Sequence, residues 1–145
     1  GNLKVYPGAM NVVPGKAELW VDLRGTEHEY IVESLQEIKD AALSIAEEYE
    51  TPVTIEMLSA DKPVSMDEKL VALAEKAAEE VGVEWMRAVS GAGHDAMNMA
   101  KITPSGMIFV RSRDGISHHP DEYAAPEDIE AGVQVLTVML RWLLA

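Results

Sequence analysis

Residues 27 to 49 read EHEYIVESLQEIKDAALSIAEEY, and this stretch decides the fold class. Ile31, Leu35, Ile38, Ala42, Ile45 and Tyr49 recur at alternating spacings of four and three, which lays one apolar stripe along a helix. Glu33, Glu37, Asp40 and Glu47 fall outside the stripe. Pro52 stops the helix, because it has no N–H to donate and its ring clashes with the preceding turn. On both sides of this stretch the period changes to two. NLKVY (2–6) and KAELWVDL (16–23) precede it and VTIEML (53–58) follows it, all alternating as half-buried strands do. PGAMNVVPG (7–15), with Pro-Gly at each end, is a loop. The first 60 residues therefore read β-β-α-β, a small sheet with a helix on one face.

The segment SADKPVS (59–65) changes texture and marks a boundary. Beyond it, Ser65 with Glu68 forms a capping-box pattern for a helix over 66–81, striped by Leu70, Leu73, Ala74, Ala77 and Val81 and ended by Gly82. A short strand is expected over 83–88. The glycine-rich turn SGAGHDA (90–96) and a short helix to about Ala100 follow, then GMIFV (106–110) as a buried strand. Pro126 suits the first position of a last helix, with Glu127 and Asp128 complementing its N-terminal dipole. Ile129, Val133, Leu136, Leu140 and Leu143 are expected as its buried face. The class is α/β, with an α+β first part.

Composition narrows the function. The chain has 145 residues, 48% hydrophobic but only 6% aromatic, enough for one core or parts of two. Its net charge of −13 is spread evenly, −7 over residues 1–60 and −6 over 61–145. Even acidity repels phosphate backbones and anionic lipid, which argues against nucleic-acid and membrane-surface partners. Without cysteine there is no disulfide framework and no thiolate, so any metal must be held by His and carboxylate. No apolar run is long enough to span a bilayer and the N-terminus lacks the pattern of a signal peptide, so a soluble, cytoplasmic protein is expected.

Three stretches carry polar groups suited to chemistry. SHHPDEY (117–123) sets His118 and His119 beside Asp121 and Glu122. Adjacent side chains leave an extended backbone in opposite directions, so at most one of the two histidines binds a given ion. A catalytic zinc needs three protein ligands, which His94, His118 and nearby acids do not supply at any familiar spacing. The bland alternative is a polar loop before a helix. SGAGHDA fits Gly-x-Gly-x-x-Ala through Gly91, Gly93 and Ala96, with Asp114 placed 23 residues after Gly91 as a ribose-binding acid would be. It also reads as a tight turn with Asp95 as N-cap, or as an anion site in which Gly93 offers its N–H and His94 faces the ligand. In PGAMNVVPGKAELWVDLR (7–24), Asn11 is a turn residue and Arg24 a cation paired with an acid, or the two form a receptor for a substrate carboxylate.

In series, PGAMNVVPG, DLR, SGAGHDA and SHHPDE resemble the C-terminal part of the dinuclear zinc amidohydrolases. That group includes N-carbamoyl-L-amino acid hydrolases, allantoate amidohydrolases and β-ureidopropionases, within the aminoacylase and carboxypeptidase-like metallopeptidase superfamily. The resemblance implies that residues 1–60 are the latter part of a ferredoxin-like lid that makes a homodimer, and 61–145 the C-terminal part of the catalytic domain. It implies that Asn11 and Arg24 grip the substrate carboxylate in the partner subunit's active site, and that Gly93 and His94 line the substrate pocket. His118 would be the last metal ligand, with His119 and Glu122 orienting the site.

In such enzymes a metal-bound water, deprotonated by a glutamate, attacks a carbamoyl or amidine carbon. The resemblance places that glutamate and the other ligands for two divalent ions in an N-terminal portion outside these residues. Zinc is expected first, with manganese, cobalt or nickel also possible. The 145 residues alone are expected to retain no metal and to be inactive, a fragment of the parent. Two other readings stay open: a non-catalytic dimerisation or binding module, and a nucleotide-binding domain built on SGAGHDA.

Overall fold

A computed structural model describes all 145 residues. The chain divides into two units, Gly1–Pro63 and Val64–Ala145, and the division falls inside SADKPVS.

In the first unit β1 (Asn2–Tyr6) and β2 (Lys16–Trp20) pair antiparallel, Asn2 opposite Trp20 and Tyr6 opposite Lys16. The alternation sorts the two faces. One face carries Lys4, Tyr6, Lys16, Glu18 and Trp20, knitted by Tyr6 Oη–H to Glu18 Oε2 (3.0 Å) and Lys16 Nζ to Glu18 Oε1 (2.6 Å). Lys4 lies over the Trp20 ring and Lys16 over Tyr6, each about the distance at which the ring face attracts a cation. The other face is Leu3, Val5, Ala17 and Leu19, with Leu3, Val5 and Leu19 exposed. The loop between the strands is closed where Gly15 N–H donates to Tyr6 C=O at 3.0 Å.

α1 runs from His28 to Glu48 and ends as Glu50 turns into the left-handed region at φ 50°, two residues before Pro52. Ile31, Leu35 and Ala42 are half-buried as the stripe predicts, but Ile45 and Tyr49 remain 56% and 69% exposed. His28, at the start of the helix, is half-buried, with Nδ1 out of contact with water and without a hydrogen bond. The expected strand over 53–58 is not formed. Its alternation is present, but no neighbouring strand offers the N–H and C=O groups of a ladder.

The second unit is built on α2 (Glu68–Val81) and α4 (Pro126–Leu143), which pack on each other. Asp67, not Ser65, caps α2: its carboxylate takes the N–H groups of Lys69 and Leu70 at 2.9 and 3.0 Å, so the helix starts two residues later than the capping-box pattern suggests. Gly82, at φ 79°, closes the helix in the left-handed turn that glycine adopts without strain. The core is Ala77, Ala78, Val135 and Met139, flanked by Leu73, Ala74, Val81, Val83 and Val138.

That core corrects the expected face of α4. Ile129, Val133, Leu136, Leu140 and Leu143 are all exposed, and the helix instead turns Gly132, Val135 and Met139 inward. The two alanines of α2 allow close approach, and Gly132 permits another: a methyl group there would lie 2.7 Å from Val110 Cγ1. GMIFV thus runs against α4 at Val110 and against α2 at Gly106, beside Leu70, but it forms no strand, and neither does 83–88. Arg141 joins Glu80 across the ends of the helix pair at 2.8 Å, and Arg87 bridges Glu68 (3.0 Å) and Glu75 (2.6 Å) along one side of α2.

Only four residues are buried, and the accessible surface is 11860 Å². Two separate compact units of these sizes would expose about 8,800 Å². The exposed apolar side chains include the outer face of the hairpin, half of the α1 stripe and the second stripe of α4.

Candidate functional site

Within the first unit, Asn11 is exposed at the tip of the β1–β2 loop, and Arg24 lies beyond the end of β2. Asp22 and Arg24 are two residues apart, and their side chains meet. The guanidinium lies side-on to the carboxylate, Nε to Oδ1 at 2.8 Å and Nη2 to Oδ2 at 2.6 Å. This bidentate pair fixes the plane of the fork. Each charge favours the other: the hydrogen bonds from Arg24 hold the Asp22 carboxyl below its ordinary range, and those to Asp22 raise Arg24 further. Arg24 also lines a shallow depression of ≈ 200 Å³ with Leu23, Thr26, Glu27 and Tyr30.

Within the second unit, Gly93 and His94 lie on the loop that enters α3 (Asp95–Met99). His94, not Asp95, occupies the N-cap position, and its side chain does not cap. The ring instead turns back to Ser90, with Nε2 2.8 Å from Oγ, and makes an edge-type contact with the Phe109 ring at 5.8 Å between centroids and 61° between planes. α3 is five residues long and no strand precedes the turn, so the strand-turn-helix frame of a dinucleotide fingerprint is not formed around Gly91, Gly93 and Ala96.

His118 is carried by a closed loop. The Arg113 N–H donates to the Tyr123 C=O at 2.8 Å, and the Arg113 guanidinium lies 4.9 Å over the Tyr123 ring, so backbone and side chain fasten the same two ends. A single turn of 3₁₀ helix at Arg113–Gly115 starts the loop. His118 itself has φ 57°, a left-handed conformation that costs a non-glycine residue about 1 kcal/mol or more. Glu122 holds it there, accepting the His118 backbone N–H on Oε2 at 2.9 Å. His119 turns to Asp121, whose N–H donates to Nδ1 at 3.2 Å. The adjacent histidines are thus divided between different partners.

These residues do not make a metal centre by themselves. No three His, Asp or Glu side chains converge on a common point, and His94 and His118 sit on separate loops. What the chain presents is a guanidinium with a fixed plane, a tethered imidazole and a histidine on a strained, fastened loop.

The matching of the chain to known proteins gives these pieces their setting. The family model of peptidase family M20/M25/M40 matches residues 3–142. The chain belongs to this family. Among its relatives, the N-carbamoyl-L-amino acid amidohydrolase of Geobacillus stearothermophilus is 40% identical over 94% of the chain and 33% of the relative. The allantoate amidohydrolase of Bacillus subtilis is 36% identical over 97% of the chain and 34% of the relative. The crystal structure of an amidase of the hydantoinase/carbamoylase family from Burkholderia multivorans superposes with a TM-score of 0.89 at 37% identity, covering 97% of the chain and 34% of that protein. The M20 chain therefore spans about a third of the length of the relatives it matches. The resemblance carried by the four motifs is borne out, and the α/β composition agrees with it.

Sequence reading passed over three residues of this M20 chain. Asp22 was signalled by its place two before Arg24, Ser90 by its position at the head of a Gly-x-Gly turn, and Tyr123 by no local pattern at all.

Proposed function

We propose that this chain is the C-terminal third of an M20 amidohydrolase that cleaves the C–N bond of ureido acids such as N-carbamoyl-L-amino acids or allantoate. The observation that carries the reading is the ordered series of four motifs inside a family match that spans residues 3–142. Residues 1–60 then belong to the lid through which the enzyme dimerises, and residues 61–145 to its catalytic domain. Arg24 and Asn11 bind the substrate carboxylate. A guanidinium already held in one plane by Asp22 loses little freedom when it takes a second carboxylate, so it orients the scissile group at low entropic cost.

Gly93 and His94 line the substrate pocket of the catalytic domain, and His118 supplies one metal ligand. Two divalent ions, zinc first among them, are completed by ligands from the remainder of the enzyme, since the residues here do not complete a site. Binding and orientation are thus the contribution of this chain, and the water-activating groups lie elsewhere in the enzyme.

The test is an assay of N-carbamoyl amino acids and allantoate with the 145-residue chain and with the full-length enzyme, each supplied with zinc. Turnover by the full-length enzyme alone is expected. Turnover by the 145 residues, or none by the full-length enzyme on any ureido acid, overturns the reading.

A further inference from the structure

We propose that Ser90 is a positioning residue that fixes His94 as an Nε2–H donor to its hydroxyl and so leaves Nδ1 as the acceptor available to substrate. The proposal rests on the pocket-lining role given to His94 above. Ser90 Oγ has three polar neighbours: the Ala92 carbonyl oxygen at 3.0 Å, the Ala92 N–H at 3.1 Å and His94 Nε2 at 2.8 Å. A hydroxyl has one hydrogen to give and two lone pairs to fill. The Ala92 carbonyl can only accept, so it takes the hydroxyl hydrogen. The Ala92 N–H can only donate, so it fills one lone pair. The remaining lone pair needs a hydrogen, and Nε2 is the atom placed to supply it. With the hydroxyl turned toward Nε2 instead, the Ala92 carbonyl and Oγ would face each other with lone pairs at 3.0 Å.

One side chain therefore ties the Gly91–Gly93 turn and the ring together, while the Phe109 ring, inclined at 61°, bounds the imidazole. The chemical consequence lies in specificity. A ureido group carries N–H donors on both sides of its carbonyl, and a bare imidazole nitrogen is a matching acceptor. A ring free to rotate and exchange tautomers would offer that acceptor only part of the time.

The experiment uses the full-length enzyme labelled with ¹⁵N-histidine, the His94 signals being identified by their loss in His94→Gln. The Nε2–H proton is expected to exchange slowly with water in the parent and in Ser90→Thr, which keeps the hydroxyl, and to exchange markedly faster in Ser90→Ala. KM for the ureido acid is expected to rise about tenfold in Ser90→Ala, the worth of one hydrogen bond, with kcat within about twofold and recovery in Ser90→Thr. An Nδ1–H tautomer in the parent, or exchange unchanged by Ser90→Ala, overturns the proposal. Exchange that changes while KM stays fixed in both Ser90→Ala and His94→Gln overturns instead the pocket-lining role of His94, so the two failures are told apart.

Discussion

Val110 fills the space that a side chain at Gly132 would need: a methyl group on that glycine would sit 2.7 Å from Val110 Cγ1, inside any real carbon–carbon contact. Glycine in a helix interior ordinarily costs about 1 kcal/mol relative to alanine, so Gly132→Ala would stabilise α4 if the helix stood alone. Here the stiff β-branched neighbour cannot turn aside freely, and overpacking costs about 1–3 kcal/mol. Gly132→Ala is therefore expected to lower the urea midpoint of the enzyme, and adding Val110→Ala is expected to recover most of the loss. A stabilised single variant would show that the contact relaxes at no cost.

Arg87 ties the first turn of α2 to its middle through Glu68 and Glu75. Its hydrogen bonds hold the Glu75 carboxyl below its ordinary value of 4.5, and Arg87 itself is raised. A carboxyl depressed on folding adds stability above its unfolded pKa, and that stability is lost as pH falls through the folded value. The difference in urea midpoint between the parent and Arg87→Gln is expected to be fully present at neutral pH and to shrink as pH falls below about 4.5. A difference that stays constant down to about pH 3 would assign the effect of Arg87 to packing of its stem.

Asp22 holds Arg24 by two hydrogen bonds, which fixes the plane of the guanidinium. If Arg24 binds the substrate carboxylate as proposed, Arg24→Ala removes a charge-assisted contact worth about 1.5–3 kcal/mol, so KM is expected to rise about tenfold to a hundredfold in the full-length enzyme. Asp22→Asn should raise KM by a smaller factor, since it loosens the fork without removing it. Equal KM values for the parent and Arg24→Ala would end the carboxylate role.

Local chemistry made much of the fold legible in the sequence. β1, the span of α1 and the start of α4 at Pro126 follow from period, proline placement and charge. The cap of α2 was misplaced because Ser65 and Asp67 both suit an N-cap, and only the backbone decides which carboxylate or hydroxyl reaches two N–H groups. The buried face of α4 was misread for a different reason. The stripe through Ile129 and Leu143 is the more apolar, but the face that packs with Ala77 and Ala78 of α2 is the one bearing Val135 and Met139. VTIEML and GMIFV alternate or run apolar as strands do, but a strand is a relation between segments and neither has a partner here. Of the candidate site residues, Arg24 and His94 stand out by type. Their holders, Asp22 and Ser90, are signalled only by position, two before Arg24 and at the head of the Gly-x-Gly turn, and the hydrogen bonds identify them.

The second stripe of α4 yields the last prediction. Leu136 and Leu140 are each 47% exposed, on a helix whose other face is already packed. A helix apolar on two faces is one built to be covered twice. If the chain is a third of a larger enzyme, the remainder covers this stripe, and a charge placed there is buried. Leu136→Glu is then expected to destabilise the full-length enzyme by about 3 kcal/mol or more, the scale of an unpaired buried charge or a lost core leucine. In the 145-residue chain the same change meets water, so it should leave helix content unchanged and reduce binding of a hydrophobic dye such as ANS. Comparable losses in both proteins would mean that the stripe is already internal to these residues. A full-length enzyme indifferent to Leu136→Glu would mean that nothing covers it.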